Sequence, residues 1–155
     1  MVDSQEAFQE HLQAFSQQMP GGYQYGVEVR NARYLNRSYF TFLSRNKLSP
    51  VLLQGYWMPP ISDIYADWSD LIAQHEAIVI RLLGPDRKGI EKATGKRWDR
   101  IVAPRDDELR AIVDVTEDLV AQGVNVYLNV NNHYEGSAPL TIERIRALLG
   151  GQDET

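Results

Sequence analysis

No cysteine occurs among the 155 residues. That single absence removes disulfides, thiolate nucleophiles and cysteine-ligated zinc together. Long apolar runs are missing too. Nothing approaches the roughly 18 consecutive apolar residues that a membrane-spanning helix requires. The opening stretch MVDSQEAFQEHLQAF is acidic and amphipathic, without the basic region and apolar core of a secretory leader. These absences predict a soluble, cytoplasmic protein with no membrane partner. There is no glycine-rich phosphate loop, no nucleophile elbow and no redox pair. The three histidines, His11, His75 and His133, fall in dissimilar contexts and form no metal constellation. No cofactor is expected.

What is present is ordinary for a globular chain. A hydrophobic content of 43% with 24% charged residues argues against wholesale disorder, and the length suits one α/β domain over residues 1–150 with a flexible tail at 151–155. The net charge of −5 argues against a general nucleic-acid binder, but it is unevenly spread. From Arg81 to Arg105 there are eight basic and three acidic residues, a local +5, while the rest of the chain carries −10. Such a segment attracts an anion, or is simply a solvated loop.

Four helix–strand alternations run along the chain. Phe8, Leu12, Phe15 and Met19 have helical spacing behind an Asp3 or Ser4 cap, and Pro20-Gly21-Gly22 ends that helix. Tyr23 to Asn31 alternates as a strand, and a helix over about Arg37 to Asn46 leads into Val51-Leu52-Leu53. A helix follows over Asp63 to His75, then a third strand over Ala77 to Leu83. After the basic loop, Asp106 or Asp107 opens a helix carrying Leu109, Ile112, Val113, Leu119 and Val120 on one stripe, stopped by Gly123. Val124 to Val130 is the fourth strand, and Pro139 begins the last helix. This order predicts a parallel sheet with crossover helices.

The strand faces say more. Gly26, Glu28 and Arg30 alternate with apolar Tyr25, Val27 and Val29. Asn125, Tyr127, Asn129 and Asn131 alternate with Val124, Val126, Leu128 and Val130. Arg81 shares a face with Ala77 and Val79. A doubly wound sheet buries both faces and reads as continuously apolar. One polar face, growing more polar toward the strands' carboxyl ends, predicts a β/α barrel with helices outside and a polar mouth. An open α/β sheet with one solvated face is the alternative.

The motifs VEVR (27–30), IRLLG (80–84), RWDR (97–100), DEL (107–109) and VYLNVNNHYEGSAP (126–139) stand in this order. In them the chain resembles the C-terminal half of the DUF72 family, also called YecE-like. That family's pattern has a Glu-x-Arg strand end, an Arg-x-His-Gly strand end and an Asn-Asn-Asp strand end before a Gly-x-Ala-Pro helix start. Leu83 stands in place of the family's usual histidine and His133 where aspartate is frequent. The resemblance implies a parallel TIM-type β/α barrel of which this chain supplies about four β/α units, as a half barrel or an open parallel sheet. It also implies that a homodimer or a separate N-terminal half-barrel completes the fold.

The candidate site residues follow from chemistry. Glu28 is the available general base, and His133 on the last strand's loop is a second proton-transfer candidate. Arg30 and Arg81 could clamp a phosphate or carboxylate bidentately, or form a structural ion-pair network. Asn129, Asn131 and Asn132 suit a hydroxyl-rich ligand or an oxyanion, or cap the strand-to-helix turn. Trp98 in the basic loop, with Tyr56 and Trp57, offers stacking surface or packing. The reading is a small anionic ligand, a phosphorylated sugar or nucleotide, bound at the C-terminal mouth. The alternative is a non-catalytic nucleic-acid-binding or degenerate half-barrel protein. Whether the chain is an enzyme stays open.

Overall fold

The computed structural model describes residues 4–150. The expected flexible tail at 151–155 and the Asp3 cap lie outside the described residues. The elements are α1 (Gln5–Ser16), β1 (Tyr25–Glu28), a 3₁₀ turn (Ala32–Tyr34), α2 (Arg37–Arg45), β2 (Leu48–Gly55), α3 (Ile61–Ile72), β3 (Ala77–Gly84), α4 (Arg87–Thr94), α5 (Asp106–Ala121), β4 (Asn125–Val130) and α6 (Ala138–Leu148). The strands form one parallel sheet in the order β1-β2-β3-β4. Helices and strands alternate as expected for part of a TIM-type β/α arrangement.

The boundaries have local causes. Ser4 caps α1 by accepting from the Ala7 amide at 3.1 Å. β1 is shorter than its alternating pattern, because the Asn31 side chain accepts from Arg33 N and starts the 3₁₀ turn. Pro60 cannot cap α3 with a side chain. The buried Gln54 at the end of β2 does so instead, accepting from Ile61 N at 2.9 Å. Asp106, Asp107 and Glu108 in the first turn of α5 oppose the positive end of its dipole.

Register follows the period of two. Gly26 stands beside Ser49, Glu28 beside Val51, Val51 beside Val79 and Val79 beside Tyr127; farther along, Leu53, Arg81 and Asn129 are neighbours. The opposite face, with Leu48, Leu52, Ile78, Ile80 and Leu82, joins Phe40, Leu43, Ile61, Ile64, Leu109 and Ile112 in one core. Leu109, Ile112, Val113 and Leu119 lie on the buried stripe of α5 as expected. Val120, at the end of that helix, is instead 56% exposed, and Val115 and Thr116 are buried in its place.

The first face is mixed: Gly26, Asn125 and Asn129 are exposed, Val79 is half-buried and Tyr127 is 56% exposed, while Ser49, Val51, Leu53 and Ala77 are buried. It is the polar face read from the sequence.

One element contradicts the sequence reading. The segment after β3 was expected to be a basic loop, yet it contains α4. Asp86 accepts from Gly89 N at 2.9 Å, and Gly95 closes the helix at φ 58°. Ile90 and Thr94, four residues apart, are its buried pair. That start signal and that stop signal outweigh the surrounding charge.

Candidate functional site: the carboxyl ends of the strands

The ends of β1 and β3 meet through charge. Arg81 Nη1 donates to Glu28 Oε2, and Arg30 Nε donates to Glu28 Oε1 at 2.8 Å. Burial pushes the Glu28 carboxyl up, but the hydrogen bonds and charges of Arg30 and Arg81 outweigh it and hold the group below its usual range. The Glu28 side chain is 21% exposed, against 37% for Arg81 and 52% for Arg30. One carboxylate therefore serves two guanidiniums, and a positive charge is left over. The Arg30 guanidinium lies 5.6 Å from the centre of the Tyr56 ring, and Trp57 Nε1 donates to the Arg30 carbonyl at 3.3 Å. Tyr56 and Trp57 thus flank the site from the end of β2.

Close backbone packing fixes these ends. A Cβ on Gly55 would stand 2.5 Å from the Gly84 carbonyl oxygen, and one on Gly84 would stand 2.5 Å from the His133 carbonyl oxygen. Both glycines have positive φ. Only residues without a Cβ let the loops after β2, β3 and β4 touch in this way.

A second cluster lies beyond β4. His133 Nδ1 lies 2.5 Å from Asn131 Oδ1, and Nε2 lies 3.1 Å from Glu91 Oε1. Both ring nitrogens face oxygen acceptors, which fixes the plane of the imidazole. The Trp98 ring packs edge-on against it at 5.0 Å. Glu91 also accepts from Arg87 Nε at 2.8 Å and lies 4.0 Å from Lys96 Nζ. Arg87 first, then His133, hold the Glu91 carboxyl below its ordinary range. The helix termini nearby are filled from within the chain. Asp86 occupies the start of α4, and Asn132 Oδ1 accepts from Ala138 N at 2.8 Å at the start of α6.

The structure therefore groups the sequence-derived candidates in two sets. Glu28, Arg30 and Arg81 form one, joined along the sheet by Asn129, the neighbour of Arg81. Asn131, His133 and Trp98 form the other. Asn132 caps a helix. Two residues were missed. Glu91, counted in the sequence only as a charge, is the partner of His133. Glu135 is fully buried; its carboxylate accepts from Arg105 N at 2.7 Å, from Thr141 Oγ1 at 2.8 Å and from Arg144. Its backbone oxygen accepts from Val102 and Ala103 N, so Glu135 pins the segment after Trp98 to the loop after β4. Among the described residues, no three His, Asp or Glu side chains converge as a metal site would require, and no helix is long and apolar enough to cross a membrane.

A four-stranded parallel sheet with helices on one face and polar strand ends on the other defines a partial TIM-type β/α unit. The chain belongs to the DUF72 family of proteins of unknown function, whose model it matches over residues 2–155. A crystallised DUF72 family protein of Thermotoga maritima MSB8 is similar in fold, with a TM-score of 0.67 at 18% identity over 96% of this chain and 54% of that one. A DUF72 family protein of Enterococcus faecalis V583 gives 0.68 at 14% identity over 98% of this chain and 55% of that one. The chain thus spans little more than half the length of these relatives. No curated protein matches it.

Proposed function

We propose that the carboxyl ends of the strands bind a small anionic ligand of the phosphorylated-sugar or nucleotide class. The observation that carries this reading is the sharing of Glu28 between Arg30 and Arg81. Two guanidiniums from different strands converge on one carboxylate, leaving a net positive charge and further N–H donors for a bidentate anion. Tyr56 and Trp57 supply aromatic surface beside it. Helix N-termini, the frequent phosphate holders in such barrels, are already capped by Asp86 and Asn132. The side chains must therefore do the binding.

Glu28 is poorly suited to proton transfer, because a carboxylate held ionised by two guanidiniums is a weak base. His133 has both ring nitrogens against Asn131 and Glu91, so a ligand must displace one of these partners before the imidazole exchanges a proton with it. Binding of nucleic acid is the weaker reading, because the Trp98 ring is taken up by its contact with His133 and the chain is acidic overall. Either half of a barrel could complete the mouth: a second copy of this chain or a separate N-terminal half.

The test is a calorimetric titration with inorganic phosphate, a sugar phosphate and a nucleotide, in wild type and Arg81→Gln. Binding that weakens about tenfold or more in the variant supports the reading, since a charge-assisted contact is worth about 1.5–3 kcal/mol. No heat with any of the three anions refutes it.

A further inference from the structure

We propose, resting on the anionic reading above, that the ligand of this mouth is a nucleotide rather than a sugar phosphate, with Trp57 as the ring on which its base stacks. In a β/α barrel the loops after the strands line the site, whichever segments supply the remaining strands. Tyr56 and Trp57 stand in such a loop.

That turn is tied down on both sides. Tyr56 N donates to the Gly84 carbonyl at 3.2 Å, Met58 N donates to the Gly55 carbonyl at 3.3 Å, and Trp57 Nε1 donates to the Arg30 carbonyl at 3.3 Å. The end of β2 is thereby joined to the segment after β1 and to the end of β3. Tyr56 sits at φ 54°, a left-handed conformation that a residue with a Cβ adopts only where its surroundings impose it. A turn of no further use places glycine, asparagine or aspartate there. This one holds a tyrosine, whose ring lies 5.6 Å from the Arg30 guanidinium.

Trp57 follows, its ring centre 5.7 Å from that of Tyr56 and its plane tilted by 43°. It is 72% exposed, although tryptophan is on average a highly buried residue. A packing ring is buried, and a ring in a merely solvated turn is not tethered. Its one hydrogen-bond donor is committed to the Arg30 carbonyl, so the side chain still offers the face of the indole. Nearby, both Glu28 oxygens are committed to Arg30 and Arg81. A sugar ring is gripped by donors and acceptors around its hydroxyls, whereas a base stacks on an aromatic face whatever its edges carry. The committed groups around Trp57 favour the base, and the guanidiniums favour the phosphate. One nucleotide carries both parts. A polypeptide segment laid over Trp57 would shield it without any ligand, whereas a nucleotide shields it only on binding.

The chain has three tryptophans, so Trp68→Phe/Trp98→Phe leaves Trp57 as the only indole. Acrylamide should quench its fluorescence freely in the unliganded protein, and adenosine 5′-monophosphate should protect it. In calorimetry, adenosine 5′-monophosphate should bind wild type about tenfold more tightly than ribose 5-phosphate, as expected for one base on one aromatic ring. Trp57→Ala, folded by circular dichroism, should bring the two ligands to equal affinity, and Trp57→Phe should keep most of the preference. The ratio is the readout, because a loosened Arg30 would weaken both ligands alike. Equal affinity for the two ligands in wild type, a preference that survives Trp57→Ala, or an indole shielded from acrylamide before ligand is added overturns the proposal and leaves the anionic reading standing. Failure of both phosphates to bind refutes the anionic reading and this proposal with it.

Discussion

Replacing Glu135 by alanine should cost the protein about 3 kcal/mol. The side chain is completely buried, yet it lies in a loop and carries a charge. Its carboxylate satisfies the Arg105 amide, the Thr141 hydroxyl and the Arg144 guanidinium. Thr141 keeps the Ser137 carbonyl at 2.9 Å as an acceptor, so its loss is small. Arg144 keeps Asp106, but that carboxylate is 64% exposed and an exposed partner is worth about 0–1 kcal/mol. The main cost is a partly buried guanidinium and a backbone amide left without their acceptor. Removing one partner of a buried pair costs about 3–5 kcal/mol, and the 28% exposure of Arg144 places this pair at the lower end. Glu135→Gln keeps the shape and one acceptor and should cost about half as much. For a chain of this size, 3 kcal/mol corresponds to a fall in melting temperature of about 6–12 °C. Urea and thermal unfolding of both variants measure it. A loss below about 1 kcal/mol for the alanine variant would refute the view that Glu135 holds the segment after Trp98.

Three further outcomes follow from other parts of the chain. Gly84→Ala should destabilise by at least about 2 kcal/mol, since its φ of 77° alone costs a residue with a Cβ about 1–2 kcal/mol and the added atom meets the His133 carbonyl; urea midpoints test this, and a neutral change would show that the loops give way. His75 is buried with its Nε2 lacking a partner, and desolvation lowers its pKa below 6.5. The unfolded chain therefore takes up the proton first, and stability should fall as pH drops below about 6.5 toward the folded value. His75→Gln should flatten urea midpoints between pH 8 and 5, and an unchanged slope would count against the burial argument. Glu28, with its pKa lowered, contributes stability that is present above the usual 4.5 and is lost as pH falls through its folded value. Glu28→Gln should remove that acid-range slope and cost about 1.5 kcal/mol at neutral pH, mostly through Arg81; equal acid sensitivity in the two proteins would contradict it.

The fold was legible where periodicity was strong. Apolar spacing located all four strands and the helices α1, α2, α3, α5 and α6 within a few residues, because each element buries one face and the sequence must show it. α4 was hidden by composition. Its Asp86 and Gly95 boundaries are ordinary signals, but five basic residues between Arg87 and Arg97 draw the eye to charge instead. The polar face was readable from alternation, since Glu28, Arg81 and Asn129 stand on the same side of their strands as Gly26 and Asn125. Glu135 was not readable. Its partners lie 6, 9 and 30 residues away, and its neighbours Tyr134 and Gly136 suggest only a turn. Glu91 and His133 are 42 residues apart and meet where α4 touches the loop after β4.

Glu28 shows why residue type locates a site before it assigns a role. A carboxylate at the polar end of a strand is the natural candidate for a base. Its protonation is set by what surrounds it, and both oxygens accept from guanidiniums. Each of those hydrogen bonds stabilises the ionised form, so taking up a proton would mean giving up two ion pairs. The same contacts orient Arg30 and Arg81 and spread their charge over the strand ends. Glu28 is therefore better suited to hold two guanidiniums in place than to move a proton.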